Sequence, residues 1–363
     1  MSGLIPVTID KPFDPASLKV EVKNFTVDQL RLMLKNNLID LQPDFQRSPN
    51  LWTPQKKSRL IESIILGIPL PSFYFYIDLD KEKWVVIDGL QRLCSIQDFM
   101  VAKTLRLRGL EFLKDKCEGK SYDDFSYFDQ LNMSMRSVTL NIISGVSSVE
   151  AQYIIFERIN STGTKLSPAE IRNALFHGRA MEMVKEMATS CQFKDATHHQ
   201  VDEKRLLHQD YVSRFVAFYV CGYKNYTGKM ESFIGHALDS INKKATEADI
   251  RQIQSDFYES LSLSTALLGD DSFRSPKSPK ANKTATEYKV SISLFEATAC
   301  GLARLSDAER SRLLSHRVAF HQAYRQLFED KNFGDELSNG TNQKKSVITR
   351  FSMLESIINK YKQ

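Results

Sequence analysis

The run Trp84-Val-Val-Ile-Asp88-Gly89-Leu90-Gln91-Arg92-Leu93 limits what this chain can fold into more than any other stretch. Its first four residues are aromatic or β-branched and suit a strand, whereas Leu93, Ile96 and Phe99 recur at helical spacing. Strand must therefore pass into helix across a single Asp-Gly pair. That junction leaves the first backbone N–H groups of the helix without intrahelical partners, beside Gln91 and Arg92, which suits an anionic phosphate. Asp88 admits two roles here: an N-cap for the helix, or a carboxylate that holds Mg²⁺ or orients a water.

Around this junction the first ~145 residues read as a small α+β unit. Thr26-Val-Asp-Gln29 has capping-box form ahead of Leu30, Leu32, Met33 and Leu34; Thr53-Pro54 opens a second helix, through Leu60, Ile61, Ile64 and Ile65, that stops at Gly67. Ser72 to Ile77, Trp84 to Ile87 and Val138 to Ile143 read as strands. From Ser147 the signals turn helical. Ser147 to Glu150 and Ser167-Pro168-Ala169-Glu170 are capping boxes, and Gly178 is placed to stop the helix that carries Ile171, Leu175 and Phe176. Helical periodicity continues through 208–221, 230–242, 247–267, 288–304, 307–328 and 345–361, the last with Val347, Phe351, Leu354, Ile358 and Tyr361 on one stripe read as core packing. The expected division is 1–146, an α+β domain, and 147–363, an all-α domain.

Charge narrows the partners only slightly. Residues 1–150 hold 19 basic and 19 acidic side chains, against 30 and 25 in 151–363, so the net +5 comes from the second part. Nucleic-acid contact depends on local clusters, and one polar, turn-rich stretch near 269–287 supplies Lys277, Lys280 and Lys283 as candidate DNA contacts on a mobile loop; a solvated connector is the plain alternative. No apolar run approaches the roughly 18 residues of a membrane span, and the first residues lack signal-peptide form, so a cytoplasmic location with no membrane partner is expected.

Several chemistries find no support. The five cysteines are scattered and never paired as CxxC, and are expected to be small core residues rather than metal ligands. HExxH, GxSxG, an EF-hand loop and a strand-following GxGxxG are all missing; Gly222 to Met230 fails as a phosphate loop in spacing and in lacking the hydroxyl residue. Neither zinc, haem nor flavin is expected.

Two further polar segments bear on the junction. Gln42-Pro-Asp-Phe-Gln46-Arg47 precedes Trp52, and Arg47 could clamp phosphate with its forked donors or simply pair with Asp44. Asn160-Ser-Thr-Gly-Thr164 joins two helices, its side chains able to reach a ligand or merely to build a turn.

Taken jointly, Phe45-Gln46-Arg47 with Trp52, Leu60 to Ile64 leading to Gly67-Ile68-Pro69, Asp88 to Arg92, Asn160 to Glu170, and Lys204-Arg205 to Arg214-Phe215 resemble GmrSD/SspE-type restriction factors. The N-terminal domain of that family is related to ParB and sulfiredoxin folds, and its hallmark is a strand-to-helix DGQQR motif. The resemblance implies a ParB/sulfiredoxin-like α+β domain that binds and hydrolyses a nucleoside triphosphate with Mg²⁺. It implies Asp88, Gln91 and Arg92 as catalytic residues, with Asp88 at the metal, and Gln46, Arg47, Gly89, Asn160 and Thr164 at the nucleotide. DNA cleavage in this group is often assigned to a partner, so a separate nuclease or methyltransferase effector, and self-association, are implied. Leu90 departs from the hallmark, since a glutamine stands there in the family; it is expected to pack into the core. Three readings follow: a nucleotide-hydrolysing, DNA-associated restriction component; a non-catalytic DNA- or partner-binding adaptor with a degenerate pocket; and, least supported, direct DNA nicking.

Overall fold

The computed structural model describes residues 18–41, 52–78, 83–144, 149–159, 167–176, 178–275, 289–338 and 340–363. The chain divides into two compact units, the first ending at Leu175 and the second beginning at Phe176. This boundary lies beyond the 146/147 division read from the sequence, because two helices that open the helical run pack against a strand of the first unit.

The first unit is built on a mixed five-stranded sheet in the order β1-β5-β3-β4-β2. Its elements are β1 (Lys19–Thr26), α1 (Val27–Lys35), β2 (Ile39–Asp40), α2 (Pro54–Leu66), β3 (Phe73–Asp78), β4 (Lys83–Asp88), α3 (Leu90–Ile96), α4 (Lys114–Cys117), α5 (Tyr127–Ser134), β5 (Ser137–Ser144), α6 (Val149–Ile159) and α7 (Pro168–Leu175). The three strands read from the sequence are β3, β4 and β5. The edge strand β1 escaped that reading because its outward valines, Val20 and Val22, remain 54% and 61% exposed, so no buried stripe marks it.

Local chemistry fixes the helix ends. Thr26 and Gln29 exchange capping-box bonds at α1. Pro54 starts α2 and Gly67 ends it with φ +76°, where an added Cβ would meet the Arg136 guanidinium at 2.7 Å. Within α2, buried Glu62 accepts backbone N–H bonds from Glu111, Phe112 and Leu113. Burial pushes this carboxyl up, but the three N–H donors outweigh it and leave its pKa below the ordinary value. The core between the helices and one face of the sheet holds Phe73, Phe75, Val86, Leu93, Ile96, Phe99 and Leu140.

The second unit is helical throughout its described residues: α8 (Arg179–Thr189), α9 (Cys191–Ala196), α10 (Leu207–Cys221), α11 (Met230–Lys244), α12 (Glu247–Leu268), α13 (Ile292–Leu302), α14 (Asp307–Ser315), α15 (Arg317–Gln326), α16 (Lys331–Ser338) and α17 (Lys344–Tyr361). Mixed α+β followed by helices is therefore the architecture. Three expectations are corrected. Gly178, with φ +96°, opens α8 instead of closing α7, which ends at Leu175. The 307–328 segment is two helices broken at His316. Cys191 is exposed, unlike buried Cys94, Cys117 and Cys221. On α17, Val347, Phe351, Leu354 and Ile358 are buried as the stripe requires. No helix among the described residues is long and apolar enough to cross a membrane.

Candidate functional site

β4 passes into α3 through Gly89 alone. This residue has φ +103°, and an added Cβ would lie 2.4 Å from Cδ1 of Phe73, so both conformation and space demand glycine. Gly89 is the N-cap of α3, and no side chain caps that helix. The capping role open to Asp88 is thereby excluded: its carboxylate turns to Arg92, whose Nη2 donates to Oδ2 at 2.8 Å.

A β-bulge decides where Asp88 points. Phe75 pairs with Val86, but the next pair is Tyr74 with Asp88, leaving Ile87 as the extra residue. Regular pairing would set Asp88 opposite core-facing Phe73 and bury a carboxylate at large cost. The bulge sets it beside Tyr74 on the opposite face, with 36% of its side chain exposed.

The motif's other polar residues are engaged with the protein itself. Arg92 is 9% exposed; it donates to the carbonyls of Pro71 and Ser72 as well as to Asp88, and its guanidinium carbon lies 4.5 Å from the centre of the Phe73 ring. Burial pushes its pKa down and Asp88 offsets this. The residue welds the start of β3 to the end of β4 and fixes the Asp88 carboxylate. Gln91 Oε1 accepts the backbone N–H of Trp52 at 3.2 Å, tying α3 to the residue before the Thr53 N-cap of α2. Leu90 packs against the core, as its departure from the family pattern required.

Behind the turn, α3 runs directly into a π-helical turn over Gln97–Val101. Asp98 of that turn pairs with Lys57 of α2, a lysine that is 4% exposed, so α2 and α3 are locked by charge. Cys94 beside them is pushed up to about 11, chiefly by burial, and is an inert thiol. On the other side of β4, α6 and α7 approach the strand. The Ser167–Glu170 capping box is formed, and α7 buries Glu170, Arg172 and Asn173 to 1–2% exposure. Arg172 and Asn173 are not marked by the sequence, because their burial beside the motif strand follows from the packing of α7. Tyr74 was missed for another reason: its place beside Asp88 depends on the bulge.

Of the residues singled out, Asp88, Gly89, Gln91 and Arg92 are together at this turn. Gln46, Arg47, Asn160 and Thr164 lie outside the described residues, as do Lys277, Lys280 and Lys283. The ends of the segment carrying those lysines are nevertheless pinned: Ser291 N–H donates to the Phe273 carbonyl at 2.8 Å, and Val290 is held by Gln200 and Tyr211. Among the described residues no group of three His, Cys, Asp or Glu side chains could hold a metal ion. A single exposed carboxylate does fit Mg²⁺ of the kind that arrives with phosphates and keeps much of its water, for which one or two protein carboxylates suffice.

An interior strand of the mixed sheet thus ends in an Asp-Gly turn that carries a welded arginine and a partly open carboxylate. Residues 30–177 match the family model for the GmrSD restriction endonuclease, N-terminal domain. Residues 30–177, under half of the chain, are thus similar to the N-terminal domain of a restriction endonuclease. No curated protein and no solved structure matches the chain.

Proposed function

We propose that this protein is a nucleotide-binding and nucleotide-hydrolysing, DNA-associated component of a prokaryotic restriction or antiphage system, acting in the cytoplasm. The observation that carries the reading is Asp88: a carboxylate brought out of the core by a bulge, fixed by Arg92, and half-open beside the uncapped start of α3. Mg²⁺ entering with a nucleoside triphosphate would be held by Asp88 and would neutralise developing phosphate charge. Asp88 also stands where it can orient a water. Gln91 and Arg92 serve as positioning residues, and contact with phosphate falls to Gln46, Arg47 and the Gly89 turn, with Asn160 and Thr164 closing the site. A ParB/sulfiredoxin-like ancestry accords with the mixed sheet and its strand-to-helix turn. DNA contact is assigned to Lys277, Lys280 and Lys283, and cleavage to a separate nuclease or a methyltransferase-linked effector; self-association through the helical unit is part of this proposal.

A second reading, an adaptor with a degenerate pocket, is favoured by Leu90 and by the internal bonds of Gln91 and Arg92. Release of inorganic phosphate from each of the four nucleoside triphosphates, with Mg²⁺ and with or without DNA, separates the two. The first reading expects turnover of at least one nucleotide and a loss of about 100-fold in Asp88→Ala, typical of removing one electrostatic group from such a site. No turnover under any condition overturns it in favour of the adaptor.

A further inference from the structure

Asp88 stands at one end of a row of side chains that crosses the sheet. Strand pairing aligns Val22 with Asn141, Asn141 with Tyr74, and Tyr74 with Asp88, so the four share one face. The adjacent row on that face is Val20, Ile143, Tyr76 and Val85. The core contacts the opposite face, through Phe73, Phe75, Val86 and Leu140. Ile143 and Val85 are buried, so the Tyr76 row is covered, whereas Tyr74 stands in the first row with an amide on one flank and the functional carboxylate on the other. Tyr74 and Asn141 are both partly exposed. Strand spacing sets Asn141 roughly 10 Å from Asp88, with Tyr74 between them.

We infer that the Tyr74 row receives the planar base of the nucleotide whose phosphates reach the Asp88 turn, Tyr74 forming a stacking platform and Asn141 presenting its amide to the base edge. The inference rests on the nucleotide reading above and adds to it the part of the ligand that gives affinity. An aromatic ring accepts any base face, because every base has a π surface, and one amide reads few edge groups. The site therefore binds all four nucleoside triphosphates within a narrow range of affinity.

The test is equilibrium binding to the full chain in Mg²⁺, with the four nucleoside triphosphates and inorganic tripolyphosphate as probes. Tyr74→Leu is expected to weaken every nucleotide by about 10-fold, the scale of one lost base-stacking contact. Tripolyphosphate binding should be unchanged, and Tyr74→Phe should bind nucleotides as wild type does. Equal losses for nucleotide and tripolyphosphate, or no loss for either, overturn the platform. In those cases the nucleotide reading stands, provided Asp88→Asn still weakens both probes. Wild-type protein that binds neither probe removes the nucleotide reading and the platform with it.

Discussion

Asp88 in the first unit and Glu296 in the second are both carboxylates held by arginine, and they differ in what surrounds the pair. Glu296 and Arg350 are each 0% exposed, with Arg214 as a second cation on Glu296, and Arg214 and Arg350 also bind Asn342 and the Thr341 carbonyl. Every oxygen of that carboxylate is spent on α10 and α17, so the group can only hold helices together. Arg92 is likewise committed to the protein, but the bulge at Ile87 leaves its partner Asp88 36% exposed. The same pairing chemistry gives a structural tie where both ends are sealed and a candidate site where one end is left open.

The largest effect expected from this contrast is in Glu296→Ala. Removing Glu296 takes the carboxylate from fully buried Arg350, while Arg214 keeps Asp210, and should cost the full chain about 3–5 kcal/mol in chemical denaturation, read in the transition of the helical unit. A loss under 1 kcal/mol would mean that the network is solvated and the contrast false. Asp88→Asn should change stability far less, by about 1 kcal/mol or below, because the pair is partly solvent-screened and Arg92 keeps the Pro71 and Ser72 carbonyls. A loss as large as that of Glu296→Ala would make Asp88 a structural residue.

The smallest effect concerns Glu309, an acidic residue in a capping box with Ser306 at α14. The Ser306 backbone N–H, and after it Lys362, lower its pKa from 4.5 to about 2. A carboxyl depressed on folding contributes stability that is fully present above its unfolded value and is lost as pH falls through the folded one. The melting-temperature gap between wild type and Glu309→Ala should therefore be constant above about pH 4.5 and close as pH drops toward 2. A gap that persists at the acid end would assign the effect to packing.

How much of this was legible beforehand depended on whether the cause lay in neighbouring residues. Thr26–Gln29, Pro54, Gly67 and Ser167–Glu170 mark helix ends through bonds made within a few positions, and β3 to β5 announce themselves by runs of β-branched and aromatic residues. The Asp-Gly turn was readable for the same reason. The tie that Arg92 makes was not, because its partners Pro71 and Ser72 are brought to it by the pairing of β3 with β4. Tyr74 and Asn141 were invisible because a one-residue bulge, not composition, puts them in line with Asp88. Gly178 misled since a glycine of positive φ also serves at a helix start, where φ +96° turns the chain into α8.

The most direct measurement is a crystal structure of the full chain with Mg²⁺ and a non-hydrolysable nucleoside triphosphate. The account predicts phosphates against the Gly89 turn and an Asp88 oxygen within roughly 2.1 Å of the metal. Nucleotide bound elsewhere, with Asp88 touching only Arg92, would contradict it.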